Sequence, residues 1–350
     1  MKLNFKFSNL LGTVYKSGNV EFLPDGNTVA SPVGNKLTLY DLKNHKSETL
    51  PVECRTNICV IALSRNGLNA ILVDERGQAL YVNLHSRCIL HRQRFNKTVK
   101  DIKFSPDGSR FAVCRDVDVQ VFRAPDPKRR QYNPFFLERV YHVAHDQTNC
   151  LDWSQDSRLF IVGCEDMQSK VCGARRYKNL FMCPLGGHTS SIVAAYFTVK
   201  DSYDLVTADR KGSLVLWECS LGADELVLCA SAKDREEEGE EEKEVTEDVP
   251  LMSYKKISRF YYRESLSFTG PPVLLTAAAY HQPTRLLVSG FSNGVFSLHE
   301  LPEFNLVQSL SVSELAVSSL AVNASGDWLA VACGGEGATY SLFEKSLTPL

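Results

Sequence analysis

Short apolar runs alternate along the chain with tight polar turns, and one kind of turn recurs at a fixed interval. It consists of four residues that end in Gly and lie at 23–26, 64–67, 105–108 and 323–326. Counted from their second residues, the first three turns are spaced 41 residues apart. A period of about 40 to 45 residues is that of a four-stranded propeller blade. The pattern therefore predicts one supersecondary unit that is repeated along the chain.

The runs between the turns have the composition of β-strands. They alternate with period two and are rich in Val, Ile, Leu, Thr and aromatic residues. Aligned on the turns, they form seven units, of which the first begins near Val20 and the seventh near Ser319. The sequence thus predicts an all-β fold, a single seven-bladed β-propeller that spans residues 1–350.

The seventh unit departs from this pattern because no Trp-containing strand closes it. Two outcomes are open. Residues 338–343 substitute for that strand, or the ring closes imperfectly, with residues 3–7 pairing beside an incomplete last blade.

The fifth unit carries the most specific local signature. Gly187 and His188 precede its strands, and Trp217 and Glu218 close the third of them. This resembles the WD-repeat family, in which a His, a Ser or Thr, an Asp and a Trp share a hydrogen-bond network. Counting back from the Trp puts Asp209 at the Ser/Thr position and Lys211 at the Asp position, which predicts an altered network. The repeat assigns structural positions to His188, Trp217, Asp107 and Asp41.

Two insertions interrupt the period. The first lies between Phe122 and Gln147, and the second between Trp217 and Thr276. Within the second, residues 234–248 include ten acidic and two basic residues. Such a segment buries too little apolar surface to fold, so a disordered acidic insertion is predicted at about 231–252. It is a nucleic-acid mimic that docks on basic partners, a modified regulatory segment, or a solvated linker.

The charge of the chain is unevenly distributed. The formal net charge is -2, and since residues 234–248 carry -8, the remainder carries +6. Two basic stretches are rich in aromatic residues. The first, 128–136, lies within the first insertion, and the second, 254–263, lies within the second insertion after its acidic segment. Arg and Lys neutralise phosphates and aromatic rings stack on unpaired bases. The candidate RNA contacts are Lys128, Arg129, Arg130, Lys255, Lys256 and Arg259. The alternative is a solvated loop and a strand whose rings pack inward.

Motifs for catalysis are missing from the sequence. It has no Gly-x-Ser-x-Gly elbow, phosphate-binding loop or His-Glu-x-x-His helix. His142 and His145 lack a recognisable third metal ligand, and the eleven cysteines include no Cys-x-x-Cys pair. We therefore expect no enzymatic activity, metal, cofactor or small-molecule substrate. No apolar run approaches a membrane span, and residues 1–9 alternate like a strand, so we expect an intracellular protein without a membrane partner.

Several segments outside the repeat consensus resemble a known family. Residues 7–15, 31–35, 40–44, 185–188, 299–306 and 325–328 are similar to the amino-terminal part of the periodic tryptophan protein 2 family, over about residues 1–333. The resemblance implies a nucleolar scaffold of the small-subunit processome, within its UTP-B subcomplex, that acts in early pre-rRNA processing and small ribosomal subunit assembly.

The resemblance also implies partners and a departure from the family. The implied partners are the other UTP-B propeller proteins, a small nucleolar ribonucleoprotein and pre-ribosomal RNA. Family members continue into a second propeller and a carboxy-terminal helical region, which are absent from these 350 residues. We therefore expect a fragment or variant. The alternative function is that of a generic WD-repeat adaptor, such as a ubiquitin-ligase substrate receptor.

Overall fold

The computed structural model describes residues 2–15, 18–125, 135–199, 201–229, 250–262, 272–334 and 338–348. Within these ranges, strands pair into seven antiparallel sheets of four strands each, the blades of one propeller. The predicted all-β, seven-bladed architecture is confirmed.

Blades 1 to 6 take their strands in chain order from the innermost to the outermost. Blade 1 contains β2 (Glu21–Phe22), β3 (Thr28–Val33), β4 (Lys36–Asp41) and β5 (Lys46–Glu53). Blade 2 contains β6 (Ile58–Leu63), β7 (Asn69–Asp74), β8 (Gln78–Asn83) and β9 (Cys88–Arg94). Blade 3 contains β10 (Val99–Phe104), β11 (Arg110–Arg115), β12 (Asp118–Arg123) and β13 (Phe136–His142).

The second half of the ring follows the same order up to its last blade. Blade 4 contains β14 (Thr148–Trp153), β15 (Leu159–Cys164), β16 (Ser169–Gly173) and β17 (Cys183–Leu185). Blade 5 contains β18 (Ile192–Phe197), β19 (Leu205–Asp209), β20 (Ser213–Cys219) and β21 (Tyr254–Tyr261). Blade 6 contains β22 (Leu275–His281), β23 (Leu286–Phe291), β24 (Val295–Glu300) and β25 (Asn305–Ser311). Blade 7 combines β26 (Val317–Val322), β27 (Trp328–Cys333) and β28 (Ala338–Thr348) with β1 (Lys2–Tyr15).

Burial differs between the middle and the outer strands because each blade packs face to face against two neighbours. Every residue of β15 is buried, whereas exposure alternates along β9 and no residue of β25 is buried at the outer edge. The apolar core is accordingly divided into seven clusters, one between each pair of adjacent blades, including one between blades 7 and 1. A middle strand buried on both faces needs a nearly continuous apolar sequence.

The recurring turns connect the first and second strands of their blades, as the period predicts. In each, the amide of the closing Gly donates to the carbonyl three residues earlier, for example from Gly67 to Ser64 at 2.8 Å. These glycines have φ between 66° and 74°, a region that disfavours residues with a Cβ. Blade 4 builds the same turn at 154–157 with Ser157 at φ 60°.

The first and last strands of the chain close the ring. β1 pairs antiparallel with β28 from Lys2 opposite Thr348 to Tyr15 opposite Ala338. Blade 7 therefore has four strands, and the expectation of an incomplete last blade is wrong. Residues 338–343 do supply its third strand, which extends to Thr348, and residues 3–7 lie within the fourth.

Parts of both predicted insertions belong to the described fold. Part of the first forms β13, where Glu138 accepts hydrogen bonds from Arg110 and Arg123 at 2.7 and 2.8 Å. The core of each insertion, 126–134 and 230–249, lies outside the described residues. Met252, inside the predicted acidic segment, is buried between blades 4 and 5, and its amide donates to the Asn179 carbonyl at 2.9 Å. Met252, at the end of the predicted acidic segment, is therefore part of the core.

Candidate functional site

The predicted RNA contacts are placed in three different situations. Lys255 and Lys256 are exposed on β21, the outermost strand of blade 5. Arg259, on the same strand, donates a hydrogen bond to the Gly187 carbonyl, and its Nε atom is buried. Lys128, Arg129 and Arg130 lie outside the described residues. Among the six predicted RNA contacts, only Lys255 and Lys256 are therefore both described and exposed to solvent, and Arg259 holds β21 against the turn that precedes blade 5.

The fifth blade contains a complete network of four side chains. His188 Nε2 lies 2.7 Å from Thr207 Oγ1, which accepts a hydrogen bond from Trp217 Nε1 at 2.9 Å. Asp209 Oδ2 lies 3.3 Å from His188 Nδ1, and Asp209 Oδ1 accepts from the Ser213 amide at 2.8 Å. Because a carboxylate only accepts, Nδ1–H donates to Asp209, and with a neutral ring Nε2 then accepts from the threonine hydroxyl, whose oxygen accepts from the indole N–H.

This geometry corrects the assignment made from the sequence. Thr207 and Asp209 occupy the Ser/Thr and Asp positions, so counting back from Trp217 was wrong by two residues and the expected alteration of the network does not occur. Lys211 takes no part in it. Burial acts to raise the pKa of Asp209, but the hydrogen bonds from His188 and the Ser213 amide lower it below its usual value. His188 is held by two buried partners and is not free to act on a substrate.

Asp41 and Asp107 are also engaged in turns. Asp41, at the end of β4, accepts from the side-chain amides of Asn44 and Asn27, both at 2.7 Å. The Asn44 side chain is the main cause that lowers the pKa of Asp41 to about 2. Asp107 accepts from the Ser105 and Ser109 hydroxyls at 2.5 and 2.6 Å. Each carboxylate thus fixes a turn beside a strand.

A cavity of about 680 Å³ runs along the innermost strands at the centre of the ring. Several polar side chains of its wall connect adjacent blades, because each accepts a hydrogen bond from a backbone amide of the next innermost strand. The pairs are Glu21 with Leu63 at 2.9 Å, Asp101 with Leu151 at 2.9 Å and Asp152 with Phe197 at 3.2 Å. Sequence analysis missed these links. Their only local signal is a polar residue at an inward position of an otherwise apolar strand.

The charges in this central cavity are tied to one another as well as to the backbone. Lys103 Nζ lies 3.3 Å from Asp152 Oδ1 and 5.3 Å from the centre of the Tyr196 ring. Burial acts to lower the pKa of Lys103, but the Asp152 and Asp101 carboxylates raise it above its usual value. Burial raises the pKa of Glu21 to about 8, although its bond with the Leu63 amide opposes the shift. This arrangement connects blades, since every carboxylate in it already accepts a backbone hydrogen bond.

Metal ligands and membrane-spanning elements were sought in the described parts of the chain. No group of three or more His, Cys, Asp or Glu side chains there is placed to hold a metal ion. His142 ends β13 and pairs with Asp118, with Nδ1 and Oδ1 2.6 Å apart. No described helix is both long and apolar enough to cross a bilayer.

Comparison with known proteins assigns the repeat and the family. The WD domain, G-beta repeat family matches residues 138–171, from the outer strand of blade 3 to the third strand of blade 4. Relatives named periodic tryptophan protein 2 or its homolog are 43% identical in Mus musculus, 41% in Caenorhabditis elegans and 36% in Saccharomyces cerevisiae. These alignments cover 96%, 98% and 94% of the chain. The resemblance to the periodic tryptophan protein 2 family is confirmed.

The match covers only part of each periodic tryptophan protein 2 relative. The chain spans 38% of the mouse and nematode proteins and 34% of the yeast protein. Among solved structures, a chain in the crystal structure of the mitotic checkpoint complex is similar with a TM-score of 0.74. That similarity covers 98% of this chain and 93% of the other at 11% identity. It supports the seven-bladed WD-repeat propeller fold alone.

Proposed function

We propose that the chain is a noncatalytic scaffold in ribosome biogenesis, as a UTP-B component of the small-subunit processome. It would support early pre-rRNA processing and small ribosomal subunit assembly in the nucleolus. The observation that carries this proposal is the similarity to periodic tryptophan protein 2 along nearly the whole chain, at 43% identity to the mouse relative. Other UTP-B propeller proteins, a small nucleolar ribonucleoprotein and pre-ribosomal RNA are the proposed partners.

The distribution of polar groups supports a scaffold. The buried His188 is engaged in hydrogen bonds within blade 5, and the carboxylates of the central cavity accept hydrogen bonds that connect adjacent blades. The exposed surface is offered by outer strands and by connections between strands, which differ from blade to blade. A ring of this kind presents several distinct surfaces on one rigid body.

Immunoprecipitation of the tagged chain from cells tests this function, with protein and RNA both identified. We expect nucleolar propeller proteins together with pre-ribosomal RNA, relative to cells that express the tag alone. Recovery of neither would refute the proposal. Recovery of ubiquitin-ligase subunits without RNA would instead support the generic adaptor.

We further propose that the exposed lysines of β21 contact RNA phosphates, together with the basic residues 128–130. Changing Lys255 and Lys256 to Gln should reduce the slope of log affinity against log salt by about 0.7 for each lost contact with single-stranded RNA. The matched control is Lys36→Gln, because Lys36 is exposed but is paired with Glu53 at 2.7 Å. An unchanged slope in the double variant would exclude this strand as an RNA contact.

A further inference from the structure

A second cavity lies at the outer edge of the ring, between blades 1 and 2. Its volume is about 280 Å³, near the lower limit of about 300 Å³ for typical ligand pockets. The charged and amide side chains of its wall are Glu53, Asp74, Gln78, Gln93 and three arginines, Arg55, Arg92 and Arg94. Glu53 ends β5 of blade 1 and is paired with Lys36 at 2.7 Å, and Arg55 lies in the connection to blade 2. The other residues belong to blade 2, so the wall combines a buried acceptor with exposed cations.

Asp74 contributes a buried oxygen that lacks a hydrogen-bond partner. The residue is 1% exposed, and its Oδ1 atom accepts from the amides of Arg76 and Gln78 at 3.0 and 2.8 Å. Its Oδ2 atom has no partner among the described residues. A buried acceptor of this kind costs free energy unless a ligand or water satisfies it. The unpaired oxygen is therefore a feature that needs an explanation.

The repeat explains why this oxygen is unpaired. Asp74 pairs with Ile58 across the first two strands of blade 2, as Asp209 pairs with Ile192 in blade 5. In blade 5 the second carboxylate oxygen lies beside His188, four residues before Ile192. The residue four positions before Ile58 is Cys54, and it makes no hydrogen bond to Asp74 among the described residues.

The arginines add positive charge to the wall of the same cavity. Arg92 and Arg94 alternate with Gln93 on β9, so both point to the same side of the strand, and both are exposed, as is Arg55. None of the three forms an ion pair within the described residues. With its amide oxygen toward Arg94, Gln78 accepts two hydrogen bonds from that guanidinium at 3.0 and 3.2 Å. Arg94 is thereby fixed at the wall, while its charge is left for a ligand.

We propose that this pocket binds one nucleotide of a single-stranded RNA. The three arginines hold the phosphate, and Asp74 Oδ2 accepts an N–H of the base or the ribose 2′-hydroxyl. A ligand that satisfies both the arginines and Asp74 must carry an anionic group and, close to it, a neutral hydrogen-bond donor. A ribonucleotide carries both groups in one unit. The inference rests on the proposed function, since it adds an RNA position to the scaffold, three blades away from β21.

Titration of the purified chain with the four ribonucleoside 5′-monophosphates and with inorganic phosphate, followed by NMR, tests this proposal. We expect at least one nucleotide to bind about tenfold more tightly than phosphate, as one additional charge-assisted hydrogen bond predicts. Changing Arg92 and Arg94 to Ala should weaken nucleotide binding by at least about tenfold. The control is Arg87→Ala, since Arg87 precedes β9 in the same blade but does not line the pocket and is paired with Glu48 at 2.6 Å.

Two further variants test the role of the carboxylate. Asp74→Asn keeps the Oδ1 acceptor of the turn and replaces the free oxygen by a donor, so the preference for nucleotide over phosphate should disappear. Cys54→His supplies a protein partner for the oxygen, so it should raise the thermal unfolding temperature and weaken nucleotide binding. Variants are compared only after thermal unfolding shows that each is folded. If Asp74→Asn does not fold, the Cys54→His variant tests whether Asp74 Oδ2 contacts the nucleotide.

The outcomes separate this pocket from the proposed function. Equal affinity for phosphate and all nucleotides, no binding, or unchanged affinity in the Arg92/Arg94 variant would each overturn the pocket. The Arg92/Arg94 variant is also tested by immunoprecipitation. Recovery of pre-ribosomal RNA and propeller proteins by a chain that binds no nucleotide would refute the pocket and leave the scaffold function standing.

Discussion

Blades 5 and 2 reach the same four-stranded form with different interiors. In blade 5, Thr207 and Trp217 belong to a buried polar network with His188. The pairing of strands places Leu72 and Val82 of blade 2 at the positions of Thr207 and Trp217, and both lie in one apolar cluster with Cys54. The interior of a blade can therefore be formed either by the polar network or by apolar side chains alone. The turns and the apolar strands suffice for the fold.

The two blades share one kind of polar connection and differ in another. The innermost strand of each of them is linked to the preceding blade: the Ile61 and Leu63 amides of blade 2 donate to Asn19 and Glu21 at 2.6 and 2.9 Å, and the Phe197 amide of blade 5 donates to Asp152 at 3.2 Å. Blade 5 adds a hydrogen-bond network among its own side chains, which blade 2 replaces with apolar packing. The two blades should therefore respond differently to substitution and to pH.

The largest difference is expected at the Trp position. Trp217→Ala should lower the free energy of unfolding by about 3–5 kcal/mol, since it removes a large buried ring and leaves Thr207 without its donor. Val82→Ala, at the same position of blade 2, should cost about 2 kcal/mol for the lost methyl groups. Denaturant unfolding of both variants measures these values. Equal losses would mean that the indole contributes no more than apolar volume.

A smaller effect is expected at the hydroxyl of the network. Thr207→Val should cost about 1–3 kcal/mol because Trp217 Nε1 and His188 Nε2 both lose their buried partner. Thr207→Ser keeps the hydroxyl and serves as the matched control in the same unfolding experiment. In blade 2, Leu72→Thr should also be destabilising, since no indole or imidazole is there to pair with the new hydroxyl. A stable Thr207→Val variant would show that the hydrogen bonds of the network are dispensable.

The pH dependence of stability should have opposite signs in the two regions. The pKa of Glu21 is about 8 in the folded chain against an ordinary 4.5, so its contribution is full below pH 4.5 and is lost as pH rises through 8. The pKa of Asp209 lies below its ordinary 3.8, so its contribution is present above that pH and is lost on acidification.

Thermal unfolding between pH 3 and pH 9 checks these signs. Glu21→Gln retains an acceptor for the Leu63 amide but does not ionise. The unfolding temperature of this variant should therefore rise relative to that of the parent chain as pH increases from 5 to 8. Asp209→Asn should unfold at a lower temperature than the parent chain at neutral pH, and this difference should diminish as pH falls below 4. Parallel curves for the parent and Glu21→Gln would contradict the assignment of the raised pKa to Glu21.

The sequence was sufficient for the fold because its signals are local. Each recurring turn needs a residue at positive φ, and Gly26, Gly67, Gly108 and Gly326 mark those positions directly. Thr207 was misplaced for a physical reason. A shift of two residues along a strand preserves which face each side chain occupies, so the alternation of apolar residues cannot detect it.

The sites were less accessible to sequence reasoning because they are assembled from distant segments. Asp74 and Arg92 come from two strands of blade 2 and Arg55 from the connection that precedes it, and no local pattern connects them. Met252 is a single buried residue beside a highly charged segment, so neither period nor composition indicates that it packs in the core. Lys255 and Arg259 look alike in sequence, but only the structure distinguishes an exposed lysine from an arginine that is bound to Gly187.

The pairing of β1 with β28 also has a consequence for the order of synthesis. Among the described strands a ribosome makes β1 first and its partner β28 last, with some 320 residues between the end of one and the start of the other. During translation the nascent blades can stack one after another, while β1 remains an unpaired edge that is open to wrong partners. The apolar surfaces of blades 1 and 7 can meet only after β28 has been made, so this long-range step should limit the rate of folding. Cells would be expected to protect β1 until the ring is closed.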